Sequence, residues 1–115
     1  MKLFGLIAVS LVTALMPAPV AAQSAAISSA WGTMKLSHDD CLSRAEQLFK
    51  RLKFTRVEKT TATVYGDRRT VQLGLRCVSE HGLYYIFGGD RNQSSVQVGK
   101  LIDELKEAFH KTADD

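Results

Sequence analysis

Residues 71–77 read VQLGLRC, and their alternation decides the kind of fold this chain builds. Val71, Leu73, Leu75 and Cys77 fall on one side of an extended chain and Gln72, Gly74 and Arg76 on the other, the pattern of a strand with one apolar face. Such a strand needs a cover. Residues 38–53, HDDCLSRAEQLFKRLK, supply one. Cys41, Leu42, Ala45, Leu48, Phe49 and Leu52 recur at helical spacing, with Arg44, Glu46, Gln47, Lys50, Arg51 and Lys53 on the opposite side. Ser37 stands three residues ahead of Asp40, the spacing of a capping box with Asp in place of Glu or Gln. Asp39 and Asp40 also suit the positive end of a helix dipole.

The neighbouring stretches extend this frame. Over 30–36, Ala30, Gly32, Met34 and Leu36 alternate with Trp31, Thr33 and Lys35, a weaker strand pattern. The Thr- and Val-rich run TRVEKTTATVY, 55–65, reads as one strand, and Gly66-Asp67 as the turn that follows it. Glu80-His81-Gly82 reads as a second turn, leading into the strand LYYIF, 83–87, which Gly88-Gly89 ends. A closing helix starts within DRNQSS, 90–95, where Asp90, Asn92 and Ser94 compete as caps. Its stripe is Val98, Leu101, Ile102, Leu105, Ala108 and Phe109. Gly99 costs about 1 kcal/mol relative to Ala inside a helix, so the helix either begins after it or packs closely there. The order β-α-β-β-β-α predicts an α+β fold: a two-layer sandwich with both helices on one face of a mostly antiparallel sheet.

The ends give an address. Lys2, an apolar run from Leu3 to Met16 and the small residues Val20-Ala21-Ala22 form the pattern of a secretory signal peptide over 1–22. The run is short for a spanning helix, lacks stop-transfer charges and is followed by no lipobox cysteine. The expected organisation is a signal peptide (1–22), a flexible leader (23–29), a single α+β domain (30–111) and a frayed tail (112–115). The mature chain of about 93 residues can bury only a modest core. Removing Lys2 from the 15 Lys and Arg leaves 14 against 12 Asp and Glu, too even a balance to argue for nucleic acid or an anionic membrane as partner. The address is periplasmic or secreted, with no membrane span after cleavage.

Both cysteines lie in the exported part, where an even count implies pairing. Cys41 and Cys77 each fall on an apolar face, so a disulfide between helix and strand is expected. Closing that loop stabilises a small domain by about 3–4 kcal/mol on the chain-entropy model.

Reactive chemistry is sparse. His38, Asp39 and His81 are zinc-type side chains without a recognised ligand spacing, and Asp39 already serves the helix terminus. A thiol at the first turn of a helix can be activated, but a nucleophile needs partial exposure and a nearby base, whereas both cysteines fall on apolar faces and no CxxC is present. GxSxG, HExxH and phosphate-cradling glycine loops are missing, so neither a catalytic motif nor a cofactor is read here. Gly88-Gly89 ahead of a helix offers backbone N–H groups to an anion, although such a pair is more often a strand end and cap.

The sheet face away from the helices is the more informative surface. Gln72, Arg76 and Val78 point outward, joined by Trp31 and by either Tyr84 and Ile86 or Leu83, Tyr85 and Phe87. The expected binding surface is Trp31, Gln72, Arg76, Tyr84 and Ile86, facing an unknown protein or small ligand, a peptide or glycan among them, or a second copy in a homo-oligomer. The signal peptide, the segment WGTMKLSHDDCLSRA, the strand GLRCVSE and the aromatic strand ending FGGD together resemble small exported bacterial α+β domains of uncharacterised function. That resemblance spans most of the mature chain and transfers no catalytic residue. The leading expectation is an exported, non-enzymatic domain that binds a protein or ligand through its sheet face; the alternatives are a metal- or anion-binding periplasmic protein, or an inhibitor of an envelope or extracellular enzyme.

Overall fold

A computed structural model of the chain describes residues 26–113. The expected signal peptide, residues 23–25 of the leader and the last two tail residues lie outside the described residues. The chain forms β1 (Ala26–Thr33), α1 (His38–Arg51), β2 (Thr55–Lys59), β3 (Thr63–Arg68), β4 (Val71–Val78), a 3-10 turn (Ser79–His81), β5 (Leu83–Asp90) and α2 (Ser95–Ala113). The strands make one five-stranded antiparallel sheet in the order β1-β5-β4-β3-β2. Both helices lie on one face, α1 over β2, β3 and β4, and α2 over β1 and β5. This is the expected two-layer α+β sandwich.

Its core is where the periodicities meet. Val64, Val71, Leu73, Leu75, Cys77, Tyr84 and Ile86 from the sheet pack against Cys41, Leu42, Ala45, Leu48 and Phe49 of α1 and Val98, Ile102, Leu105 and Phe109 of α2. Tyr84 lies against Phe109 with ring centroids 4.7 Å apart, and Phe49 against Phe54 at 4.9 Å. Cys41 and Cys77 form the disulfide between the layers, with Cα atoms 6.2 Å apart. The expected α1 cap is in place: Ser37 Oγ accepts from the Asp40 N–H at 3.2 Å, with Ser37 in extended geometry. The helix ends two residues before the expected Lys53. Lys53 itself takes a left-handed conformation (φ 69°), and Phe54 N–H donates to Phe49 O at 2.9 Å, which satisfies an otherwise orphaned carbonyl.

Several boundaries differ from expectation for identifiable reasons. Four residues of the expected leader, 26–29, belong to β1, because β5 extends to Asp90 and pairs with Ala26. Thr112 and Ala113 of the expected tail lie in α2, where the Arg44 guanidinium donates to Thr112 O. The run 55–65 is divided into β2 and β3 by a turn built from threonine. Thr60 N–H donates to Thr63 O at 2.8 Å, and Thr60 Oγ1 accepts from Thr63 N–H at 3.1 Å. Gly66 and Asp67 sit inside β3 instead of forming a turn, which falls at Arg69 (φ 59°) and Thr70. Gly88 and Gly89 likewise continue β5: a Cβ on Gly88 would stand 2.2 Å from Gln72 O, so only glycine fits between the neighbouring strands. Ser94 is the cap of α2, its Oγ accepting from Gln97 N–H at 3.2 Å. Gly99 falls within the helix with open space where a Cβ would be.

Candidate functional site: the uncovered sheet face

With both helices on one side, the other side of the sheet carries its own row of side chains. The pairing registers place Trp31 of β1 opposite Tyr85 of β5, and Tyr85 opposite Arg76 of β4. These three side chains form one band across three strands. Trp31 is 60% exposed and Tyr85 41%, and Arg76 is exposed. Large aromatics left in water on a sheet are unusual, and aromatic and Arg side chains are the types that anchor binding surfaces.

A second band runs beside it. Tyr85 and Phe87 stack with centroids 6.1 Å apart, and Phe87 meets Tyr65 of β3 edge-on at 6.2 Å. Gly74 makes this contact possible, since a Cβ there would stand 2.7 Å from Phe87 Cζ. The Phe87 ring thus lies across β4 to reach Tyr65. Beyond Phe87 the face drops into a depression of about 330 Å³, lined by Arg56, Asp67, Gln72, Gly74 and Gly89 among others. Arg56 pairs with the Asp67 carboxylate at its rim. The face therefore presents an aromatic ridge beside a hollow with an ion pair at its rim.

The expected surface residues separate into two groups. Trp31, Gln72 and Arg76 are exposed on this face. Tyr84 and Ile86 are not: both are fully buried beneath the helices. The alternative set Leu83, Tyr85 and Phe87 faces outward instead. LYYIF is apolar on both sides, so alternation within it carries no direction. Its register follows from Cys77 opposite Tyr84, which ties the buried face of β4 to the even residues of β5. Ile27 and Tyr65 also join the face; Ile27 lay in the expected leader, and Tyr65 at the end of a run whose division hid its register.

The opening histidine of α1 has a structural partner. His38 Nε2 donates to Thr61 O at 2.6 Å, fastening the start of α1 to the β2–β3 turn. Asp39 and His81 are exposed. Among the described residues no group of three or more His, Cys, Asp or Glu side chains is placed to hold a metal ion. Asp90 is buried and organises the opposite end of the sheet, accepting from Thr70 Oγ1 at 2.6 Å and from Asn92 N–H at 2.9 Å. The Thr70 hydroxyl, then the Asn92 N–H, with Ser94 and Arg91 adding to them, hold its carboxyl below the ordinary value against the opposing effect of burial.

No protein-family model matches the sequence, and no curated protein matches it. Among the described residues no helix is long and apolar enough to cross a membrane.

Proposed function

We propose that this chain is an exported, non-enzymatic binding domain, periplasmic or secreted, that engages a protein or small ligand through the uncovered face of its sheet. The observation that carries the reading is the Trp31–Tyr85–Arg76 band: two exposed aromatics and a guanidinium held in register by three strands, on the side that neither helix covers. A flat aromatic row suits an extended peptide or a sugar ring, each of which offers an apolar face flanked by hydrogen-bonding groups. The disulfide and the secretory pattern of residues 1–22 support the address, because disulfides persist in oxidising compartments.

The test is capture of partners from cell-envelope extract with the purified domain, comparing wild type with Trp31→Ala and Arg76→Ala. A specific partner retained by wild type and lost by both variants is expected. Partners retained equally by all three proteins would remove the sheet face from the reading. Titration with Zn²⁺ and Cu²⁺ addresses the metal-binding alternative: submicromolar binding abolished by His38→Ala and His81→Ala would replace the present reading with that one.

A further inference from the structure

The two edges of the sheet are unlike. β2 is five residues long, carries Arg56, Glu58 and Lys59, and is interrupted by a register shift at a left-handed Arg56 (φ 51°). Charges and irregularity of this kind keep an edge from pairing with another chain. β1 has neither protection. It runs for eight residues, AISSAWGT, in unbroken register with β5 and without a charge or a proline.

The hydrogen-bonding side of that edge can be assigned. Met34 N–H donates to Gly82 O at 2.8 Å, and this pair continues the β1/β5 register. Antiparallel ladders alternate, so Ala26, Ser28, Ala30 and Gly32 direct their backbone groups to β5. Ile27, Ser29, Trp31 and Thr33 direct theirs outward from the sheet. The same four residues carry their side chains on the uncovered face, where Ile27 is 79% exposed and Trp31 60%.

We infer that β1 is a dimerisation edge, pairing antiparallel with β1 of a second copy of this chain about a two-fold axis at Ser29. In that register Ser29 faces the partner's Ser29, and Ile27 lies opposite the partner's Trp31 on each side of the axis. Each exposed apolar side chain of β1 then gains an apolar cross-strand neighbour, and the outward backbone groups of Ile27, Ser29 and Trp31 are paired. A slip of two residues would set Ile27 against Thr33 or Ser29 and leave Trp31 without its apolar neighbour. A foreign strand would have to bring its own apolar pair at this four-residue spacing; a second copy has it already. No like charges meet, because the strand has none. The joined sheet would carry two Trp31–Tyr85–Arg76 bands on one continuous face. The inference rests on the edge and is independent of what that face binds.

An edge pair with two apolar contacts is small for a stable interface, so the dimer dissociates on dilution. Sedimentation of the oxidised, exported protein between about 1 µM and about 1 mM should show a concentration-dependent monomer–dimer equilibrium. Ser29→Pro removes an outward N–H without touching the β5 ladder and should give monomer throughout, with unchanged circular dichroism. Ile27→Lys, a change at an exposed side chain, should do the same. Ser29→Cys should form a covalent dimer under mild oxidation, and Thr33→Cys should not, because only position 29 meets itself across the axis. Wild type that stays monomeric over the whole range overturns the inference and leaves the edge to an extended segment of another protein. A dimer that survives both Ser29→Pro and Ile27→Lys overturns it as well.

Discussion

Gly66 lies directly under the ring of Phe49: a Cβ at position 66 would stand 2.7 Å from Phe49 Cδ2 and 3.2 Å from Phe54 Cβ. α1 can approach β3 this closely only because position 66 has no side chain. Phe49 is fully buried, so the ring has nowhere to retreat. Gly66→Ala should therefore destabilise the domain by about 1–3 kcal/mol, the usual cost of overpacking. Urea unfolding measures it, and an unchanged midpoint would contradict the packing.

Gly99 predicts the opposite sign. It sits inside α2 with nothing within 4 Å of a Cβ placed there. Gly99→Ala should stabilise the domain by about 0.5–1 kcal/mol, through helix propensity and a less flexible unfolded chain. A raised thermal midpoint is the expected result, and a lowered one would mean that the helix does not run through this position.

The disulfide joins residues 36 apart in sequence. Replacing both Cys41 and Cys77 by Ala should lower stability by about 3–4 kcal/mol, chiefly by releasing the unfolded chain. Intact-mass measurement of the protein purified without reductant should show two further hydrogens only after reduction. Free thiols in the untreated sample would contradict the pairing.

Adjacent tyrosines on β5 should behave differently. Tyr84 is enclosed against Phe109, and Tyr84→Ala should cost about 3–5 kcal/mol, as for other large buried aromatics. Tyr85 is partly exposed on the opposite face, and Tyr85→Ala should cost less than about 1 kcal/mol. Comparable losses at both positions would place the β5 register in error.

Asp90 sets an acid limit. Its carboxyl is held below the ordinary value of 3.8, first by the Thr70 hydroxyl and then by the Asn92 N–H. As pH falls, the unfolded chain takes up the proton before the folded one. The Asp90 contribution is therefore complete above about pH 4 and is lost as pH drops through the folded value. Asp90→Asn should flatten the dependence of the urea midpoint on pH below about 4. Thr70→Val should move the Asp90 titration, followed by carboxyl NMR, back toward its ordinary value. A pH dependence identical in wild type and Asp90→Asn would exclude this role.

Where one face of an element is apolar and the other polar, the sequence is decisive. The alternation of 71–77, the stripe of α1 and the cap at Ser37 are local patterns, and they place Cys41 and Cys77 on facing sides of one core without knowledge of the fold. The two-layer arrangement follows from the same patterns, because elements with single apolar faces have few ways to bury them. The candidate face was legible at Trp31, Gln72 and Arg76, whose polar or apolar neighbours set their direction.

Tertiary structure decided what local pattern leaves degenerate. LYYIF is apolar on both sides, so only pairing with β4 determines that Tyr84 and Ile86 enter the core while Tyr85 and Phe87 face outward. Glycine carries the same ambiguity. Gly66, Gly88 and Gly89 resemble turn residues in sequence, yet they mark places where a ring or a neighbouring strand occupies the space of a side chain. The Thr60 turn was hidden for the converse reason, because it is made by hydroxyl hydrogen bonds among residues that also favour strands. Periodicity determines which side of an element is buried; contacts between elements determine register, close approach and which sheet face and edge remain open.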